Sequence, residues 1–216
     1  MIIRAVLFDM DGTLVDSEGM HYDATEAVLL AAGITAPPGL SVQMTGMSGF
    51  DCHALLVRRT GLALTYESYV AAKYAEFLNK APGLALRRGA GDVLSWLEGQ
   101  GLPFAVVSNS DRILMDASLN AVGLTKPGLI TVSRNDVRQG KPAAEPYLRA
   151  AYLMGVTPDE CLVVEDSYLG ALAGVAAGMR VIGWPEPHRQ DIKFPEGVAL
   201  CDPDDLVSTL QTLIIS

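Results

Sequence analysis

Ile2-Ile3-Arg4-Ala5-Val6-Leu7-Phe8-Asp9-Met10-Asp11-Gly12-Thr13 is the stretch on which the fold turns. Arg4 apart, it is apolar until it stops at two aspartates around one methionine. A short run that is apolar throughout, rather than alternating, marks a strand covered on both faces. Three further runs of this kind, Arg180 apart, occupy residues 104–107, 161–164 and 180–182. Helical periodicity fills 91–100, 113–122, 145–154 and 169–177, with Gly123 and Gly178 where helix C-terminal glycines belong. Residues 204–215 read as a last covering helix. Strand alternating with helix predicts an α/β fold, a doubly wound parallel sheet of Rossmann-like type.

Residues 16–82 break that rhythm. They show helical patterns at 20–32, 50–60 and 66–79, no strand run, and turn material at Ala36-Pro37-Pro38-Gly39 and Ala81-Pro82-Gly83. The expected organisation is a core domain from 1–15 plus 83–216, with an all-helical domain, 16–82, inserted at one surface loop.

The chain has 216 residues with 16 Lys and Arg against 25 Asp and Glu, a net charge of −9. That acidity, with no basic block, argues against a nucleic acid as partner. No apolar run approaches the roughly 18 residues of a membrane span. The first apolar run also stops too soon for a secretory signal. Cys52, Cys161 and Cys201 are far apart and form no disulfide framework or metal knuckle, so a reduced, cytoplasmic protein is expected.

Residues i and i+2 of an extended chain share a face, so Asp9 and Asp11 project together while Met10 points away. Close carboxylates repel, so one holds a proton or a cation lies between them. Aspartate also ends strands in plain Asx turns. Ser108-Asn109-Ser110-Asp111 follows the second strand run, either as a simple N-cap or as an anion-binding helix start. Glu165-Asp166-Ser167 follows the third, and a parallel sheet gathers such strand ends at one crevice. Gly140-Lys141-Pro142 precedes the helix at 145–154. Lys141 is there either a solvated lysine or a cation that needs an anion to offset the helix dipole.

In this order the motifs resemble the haloacid dehalogenase superfamily of phosphohydrolases. They resemble most its branch with a helical cap, which includes sugar phosphatases and beta-phosphoglucomutase. Asp9-Met10-Asp11-Gly12-Thr13-Leu14-Val15-Asp16-Ser17-Glu18 resembles the first motif, Val107-Ser108-Asn109-Ser110 the second and Gly140-Lys141-Pro142 the third. Val163-Val164-Glu165-Asp166-Ser167, running on through Gly170, resembles the fourth. The resemblance implies a phosphatase that acts on a small phosphorylated metabolite, a sugar or polyol phosphate, with Mg²⁺ as cofactor. It implies Asp9 as nucleophile, forming an aspartyl-phosphate, and Asp11 as acid and then base. Mg²⁺ would be held by the Asp9 carboxylate, the Asp11 backbone carbonyl and Asp166, with Glu165 either a ligand or behind one. Ser108, the Asn109 backbone N–H and Lys141 would bind the phosphoryl oxygens.

Two other readings stand beside this one. A phosphosugar mutase of the same branch is favoured by His21, which sits where that enzyme has a substrate-gating histidine. It is disfavoured by Gly49, which stands where the mutase carries a phosphate-binding arginine. Lys73 could supply the missing cation, or be a solvated lysine, and His21 could simply pack the helix. A non-enzymatic phospho-accepting signalling domain would instead be shorter, capless and carry its acceptor mid-chain. Arg87-Arg88 fall where the resemblance expects a proline before Gly89, and could bind an anion or form a solvated hinge.

Overall fold

Residues 2–187, 189 and 191–215 are described by the computed structural model. Ala5–Phe8 (β1), Phe104–Val107 (β2), Ile130–Val132 (β3), Cys161–Glu165 (β4), Arg180–Gly183 (β5) and Val198–Leu200 (β6) form one sheet, ordered β3-β2-β1-β4-β5-β6. Every pairing is parallel, with Val6 opposite Phe104 and Leu162. The doubly wound sheet expected from the sequence is therefore the fold.

Alternation along the strands sorts their side chains into two apolar layers. Val6, Phe8, Val106, Leu162, Val164 and Ile182 pack on one face, against Ala90–Gly99 (α5), Arg112–Ala121 (α6) and Leu206–Ile215 (α9). Ala5, Leu7, Ala105, Val107, Cys161, Val163 and Val181 pack on the other, against Glu145–Met154 (α7) and Tyr168–Ala176 (α8). Complete burial of a Leu or Phe side chain contributes about 1.5–3 kcal/mol, which explains why uniformly apolar runs became the central strands.

Glu18–Ala31 (α1), Leu40–Met44 (α2), Gly49–Thr60 (α3) and Tyr66–Lys80 (α4) lie between β1 and α5. They share a cluster of their own, Val28, Leu29, Leu40, Leu55, Leu56, Leu62 and Tyr69, which contains no sheet residue. Ala24 of α1 and Phe77 of α4 instead join the sheet's apolar layer. The chain leaves and returns side by side: Asp16 N–H donates to Ala85 O (3.0 Å) and Arg87 N–H to Leu14 O (2.9 Å).

The structure differs from expectation at the short elements. β3 and β6 have three residues each and α2 has five, too few to show a period, and α2 directly follows Pro37-Pro38-Gly39. The first strand begins at Ala5, because Ile2 lies outside the sheet and is 79% exposed. Among the described residues no helix is long and apolar enough to cross a membrane.

Candidate active site

From β1 the chain runs outward to β2 and β3, then returns to β4 on the other side of β1. The carboxyl ends of β1 and β4 meet at this reversal, where an open α/β sheet forms its crevice. Asp9, Ser108, Lys141, Asp166, His21 and Lys73 all line one cavity of about 380 Å³, together with Asp11 and Asn109. Glu165 lies just beneath it, fully buried.

Asp9 and Asp11 face the same cavity but are held by different donors. Lys141 Nζ donates to Asp9 Oδ1 (2.6 Å), Glu165 Oε1 (2.5 Å) and Val107 O (2.8 Å). Lys141 is thus buried and paired, not solvated, and its carboxylate neighbours push its pKa up to about 12 against the effect of burial. Asp11 accepts from Ser17 Oγ (2.6 Å), Ser108 Oγ (3.0 Å) and Ser110 Oγ (2.7 Å), and lies 3.1 Å from His21 Nε2. Burial alone would raise its pKa, but His21 and the hydroxyls of Ser17 and Ser110 hold it well below the usual carboxylate range.

Glu165 is saturated by the protein. Lys141 and Tyr147 (2.6 Å) donate to Oε1, and the Ser167 hydroxyl (3.0 Å) and N–H (3.4 Å) donate to Oε2. An alanine Cβ at Gly170 would stand 1.8 Å from Glu165 Oε1. Gly170→Ala is therefore expected to cost about 1–3 kcal/mol, as overpacking does, and to lower the melting temperature. An unchanged melting temperature would show that Glu165 is free to move aside.

The donor chemistry suits a hard cation. Carboxylate oxygens of Asp9, Glu165 and Asp166 all lie within 4.8 Å of one another. Thr13 Oγ1 donates to Asp166 Oδ1 (3.2 Å), whereas no described residue donates to Asp166 Oδ2 or Asp9 Oδ2. Burial raises both acids well above the usual range. Glu165, Asp166 and Asp11 add to this at Asp9, as Glu18 and Glu165 do at Asp166. Lys141 opposes the shift at Asp9, and Arg87, then Lys141, oppose it at Asp166. A divalent cation would relieve that repulsion.

Asn109 braces the second motif. Its Nδ2 donates to Lys141 O (3.0 Å) and Gly46 O (3.2 Å), and its Oδ1 accepts from Lys141 N–H (2.8 Å). Among the described residues none accepts from its backbone N–H. His21 stacks on Phe77 (centroids 4.4 Å apart), as a helix-packing residue does, and its Nε2 lies 3.1 Å from Asp11 Oδ1. Lys73 is only 7% exposed, and no described residue accepts a hydrogen bond from its amine. A Cβ on Gly49 would meet the Tyr66 hydroxyl at an ordinary 3.5 Å.

Several contributors escaped the sequence reading. Tyr147 sits on the apolar face of α7, and only tertiary pairing shows its hydroxyl on Glu165. Glu18 lines the cavity, where burial, then Asp11, Asp9 and Glu186, push its pKa up to about 8. Arg87 is neither a solvated hinge nor part of the cavity wall; its guanidinium is buried against backbone carbonyls. Arg88 is exposed and pairs with Asp204 (3.5 Å).

The site is thus an acid-rich crevice at the carboxyl edge of a parallel sheet, with a buried lysine on one of its acids. Residues 3–178 match the haloacid dehalogenase-like hydrolases, and the chain belongs to that family. It stands among the family's phosphatases. Hexitol phosphatase A of Escherichia coli is 33% identical over 199 residues, covering 87% of this chain and 85% of that protein. Phosphoglycolate phosphatase of Photorhabdus laumondii is 28% identical over 217 residues, covering 98% and 91%. The crystal structure of beta-phosphoglucomutase from Clostridium difficile shares the fold, with a TM-score of 0.83 at 18% identity over 99% of this chain and 98% of that one. Family membership removes the non-enzymatic signalling alternative.

Proposed function

We propose that the chain is a Mg²⁺-dependent phosphatase that hydrolyses a sugar or polyol phosphate through a phosphoryl group carried on Asp9. One observation carries this reading: Asp9 Oδ1 is pinned by Lys141 while Oδ2 accepts from no described residue, in a residue that lines a cavity of ester size. Asp9 Oδ2 attacks phosphorus and the ester P–O bond breaks, with Asp11 giving its proton to the leaving oxygen. Asp11 then takes a proton from water as that water attacks phosphorus and frees Asp9.

Asp11 must gain a proton before it can give one. Ser108 and Ser110 donate to it. A phosphoryl group that recruits these hydroxyls strips donors from Asp11, and its negative charge raises the carboxyl's proton affinity further. Asp9, Asp166 and the Asp11 carbonyl would hold Mg²⁺, with Glu165 behind them anchoring Lys141. The cation supplies charge neutralisation at the transferring oxygens. The Asn109 N–H and Lys141 would bind those oxygens.

We further propose that 16–82 forms a cap over a core of 1–15 plus 83–216, supported by the separate apolar cluster of α1–α4. His21 and Lys73 would then meet the leaving group from the cap. The amine of Lys73 keeps a mutase reading in play, because it could hold a distal phosphate. Gly49 weighs against it, since a lone lysine lacks the paired donors of an arginine fork.

Phosphate release from a panel of hexose, polyol and nucleoside monophosphates, with and without EDTA, tests the proposal. Steady release from sugar or polyol esters, abolished by EDTA and restored by Mg²⁺, is expected. No release from any ester at saturating Mg²⁺, or conversion of beta-glucose 1-phosphate to glucose 6-phosphate faster than to inorganic phosphate, would contradict it.

A further inference from the structure

Arg87 is only 5% exposed, and no described carboxylate lies within ion-pair distance of it. Its NH1 donates to Gly12 O (2.8 Å) and Trp184 O (2.7 Å), and its NH2 to Pro185 O (2.7 Å). The guanidinium lies 3.8 Å from the Trp184 ring centroid. Sealing a cation from water is costly, and neutral acceptors return less of that cost than a carboxylate would. The acceptors belong to two loops that build the site: the turn after β1 that carries Asp11, and the loop after β5 that carries Glu186 into the cavity wall.

From Gly12 the contact passes directly to Asp166. Gly12 holds φ at +78°, and a Cβ there would stand 2.4 Å from Asp166 Oδ2, so this carboxylate rests against the bare glycine backbone. The next residue, Thr13, donates its hydroxyl to Asp166 Oδ1 (3.2 Å). Whatever fixes the peptide between Gly12 and Thr13 therefore fixes both the surface and the hydrogen bond that orient Asp166.

We propose that Arg87 is a positioning residue for Asp166: it clamps the Gly12 carbonyl against the anchored Trp184–Pro185 loop and so holds the acid in its cation-binding orientation. The assignment rests on the reading above that Asp166 helps hold the cation. An arginine is needed because its rigid fork reaches acceptors on both loops at once and stacks on an indole. A lysine offers one nitrogen and no plane.

The test uses the full chain with Mn²⁺ as probe, binding being read by electron paramagnetic resonance and compared among the wild type, Arg87→Gln and Arg87→Lys. Loss of the clamp is expected to weaken Mn²⁺ binding about tenfold or more, the scale on which residues behind a metal ligand act. The KM for an aryl phosphate should stay unchanged, and turnover should recover as metal is raised. Arg87→Lys keeps the charge but not the fork, so it should leave Mn²⁺ binding weakened. A variant that melts earlier yet binds Mn²⁺ like the wild type would overturn the proposal, as would full restoration by lysine. Failure of both variants to fold would assign Arg87 to the fold alone and also overturn it. A wild type that binds no Mn²⁺ would overturn the metal reading and this proposal with it.

Discussion

Asp9→Asn is expected to lower turnover by about 10³-fold or more, a barrier increase of about 4 kcal/mol or more, as removal of a covalent nucleophile does. The amide is a poor nucleophile, yet it is nearly isosteric and keeps an oxygen that can accept from Lys141, which donates to Asp9 at 2.6 Å in the wild type. The substitution also removes one negative charge from a cluster whose acids are raised by burial and mutual repulsion. Melting temperature in EDTA should therefore hold or rise while activity disappears. That opposition separates loss of chemistry from loss of fold. Turnover within tenfold of the wild type, contamination excluded, would contradict the role of Asp9.

The second large effect is expected at Lys141. Its amine is the shared donor to Asp9, Glu165 and the Val107 carbonyl, and it is buried. Lys141→Ala leaves buried acceptors without a partner, which costs about 3–5 kcal/mol when one member of a buried pair is removed. Thermal unfolding in EDTA should show that loss, and saturating Mg²⁺ should recover part of it by bringing positive charge to the same acids. Turnover should fall about 10²–10³-fold, the effect of deleting one preorganised donor to developing charge. If Lys141→Ala kept full activity at a reduced melting temperature, the lysine would be a structural tie between β1 and β4 and nothing more.

Local signals carried much of this architecture. The runs around Val6, Val106, Val163 and Val181 were apolar on both faces because both faces are covered, so pattern and environment agree. The strand-end polar residues were legible for a related reason, since parallel strands deliver Asp9, Ser108 and Glu165 to one edge whatever lies between them. Readings failed where the deciding contact is distant in sequence. Tyr147 reads as one more apolar-face aromatic until Glu165, packed against Gly170, meets its hydroxyl. Arg87 next to Arg88 reads as a polar hinge, and only the folded chain brings the carbonyls of Gly12, Trp184 and Pro185 to one of them. Three-residue strands such as β6 lack a period altogether.

The central claim is that phosphorus passes through Asp9, and trapping the phosphorylated protein tests it most directly. The enzyme would be quenched with acid during turnover of its best ester in Mg²⁺, digested with pepsin at low pH and analysed by tandem mass spectrometry. The account predicts a peptide heavier by one phosphoryl group, modified at Asp9, labile to hydroxylamine and absent from Asp9→Asn. Steady phosphate release with no phosphoryl group on Asp9 at any quench time, or with the group on a different residue, would contradict it.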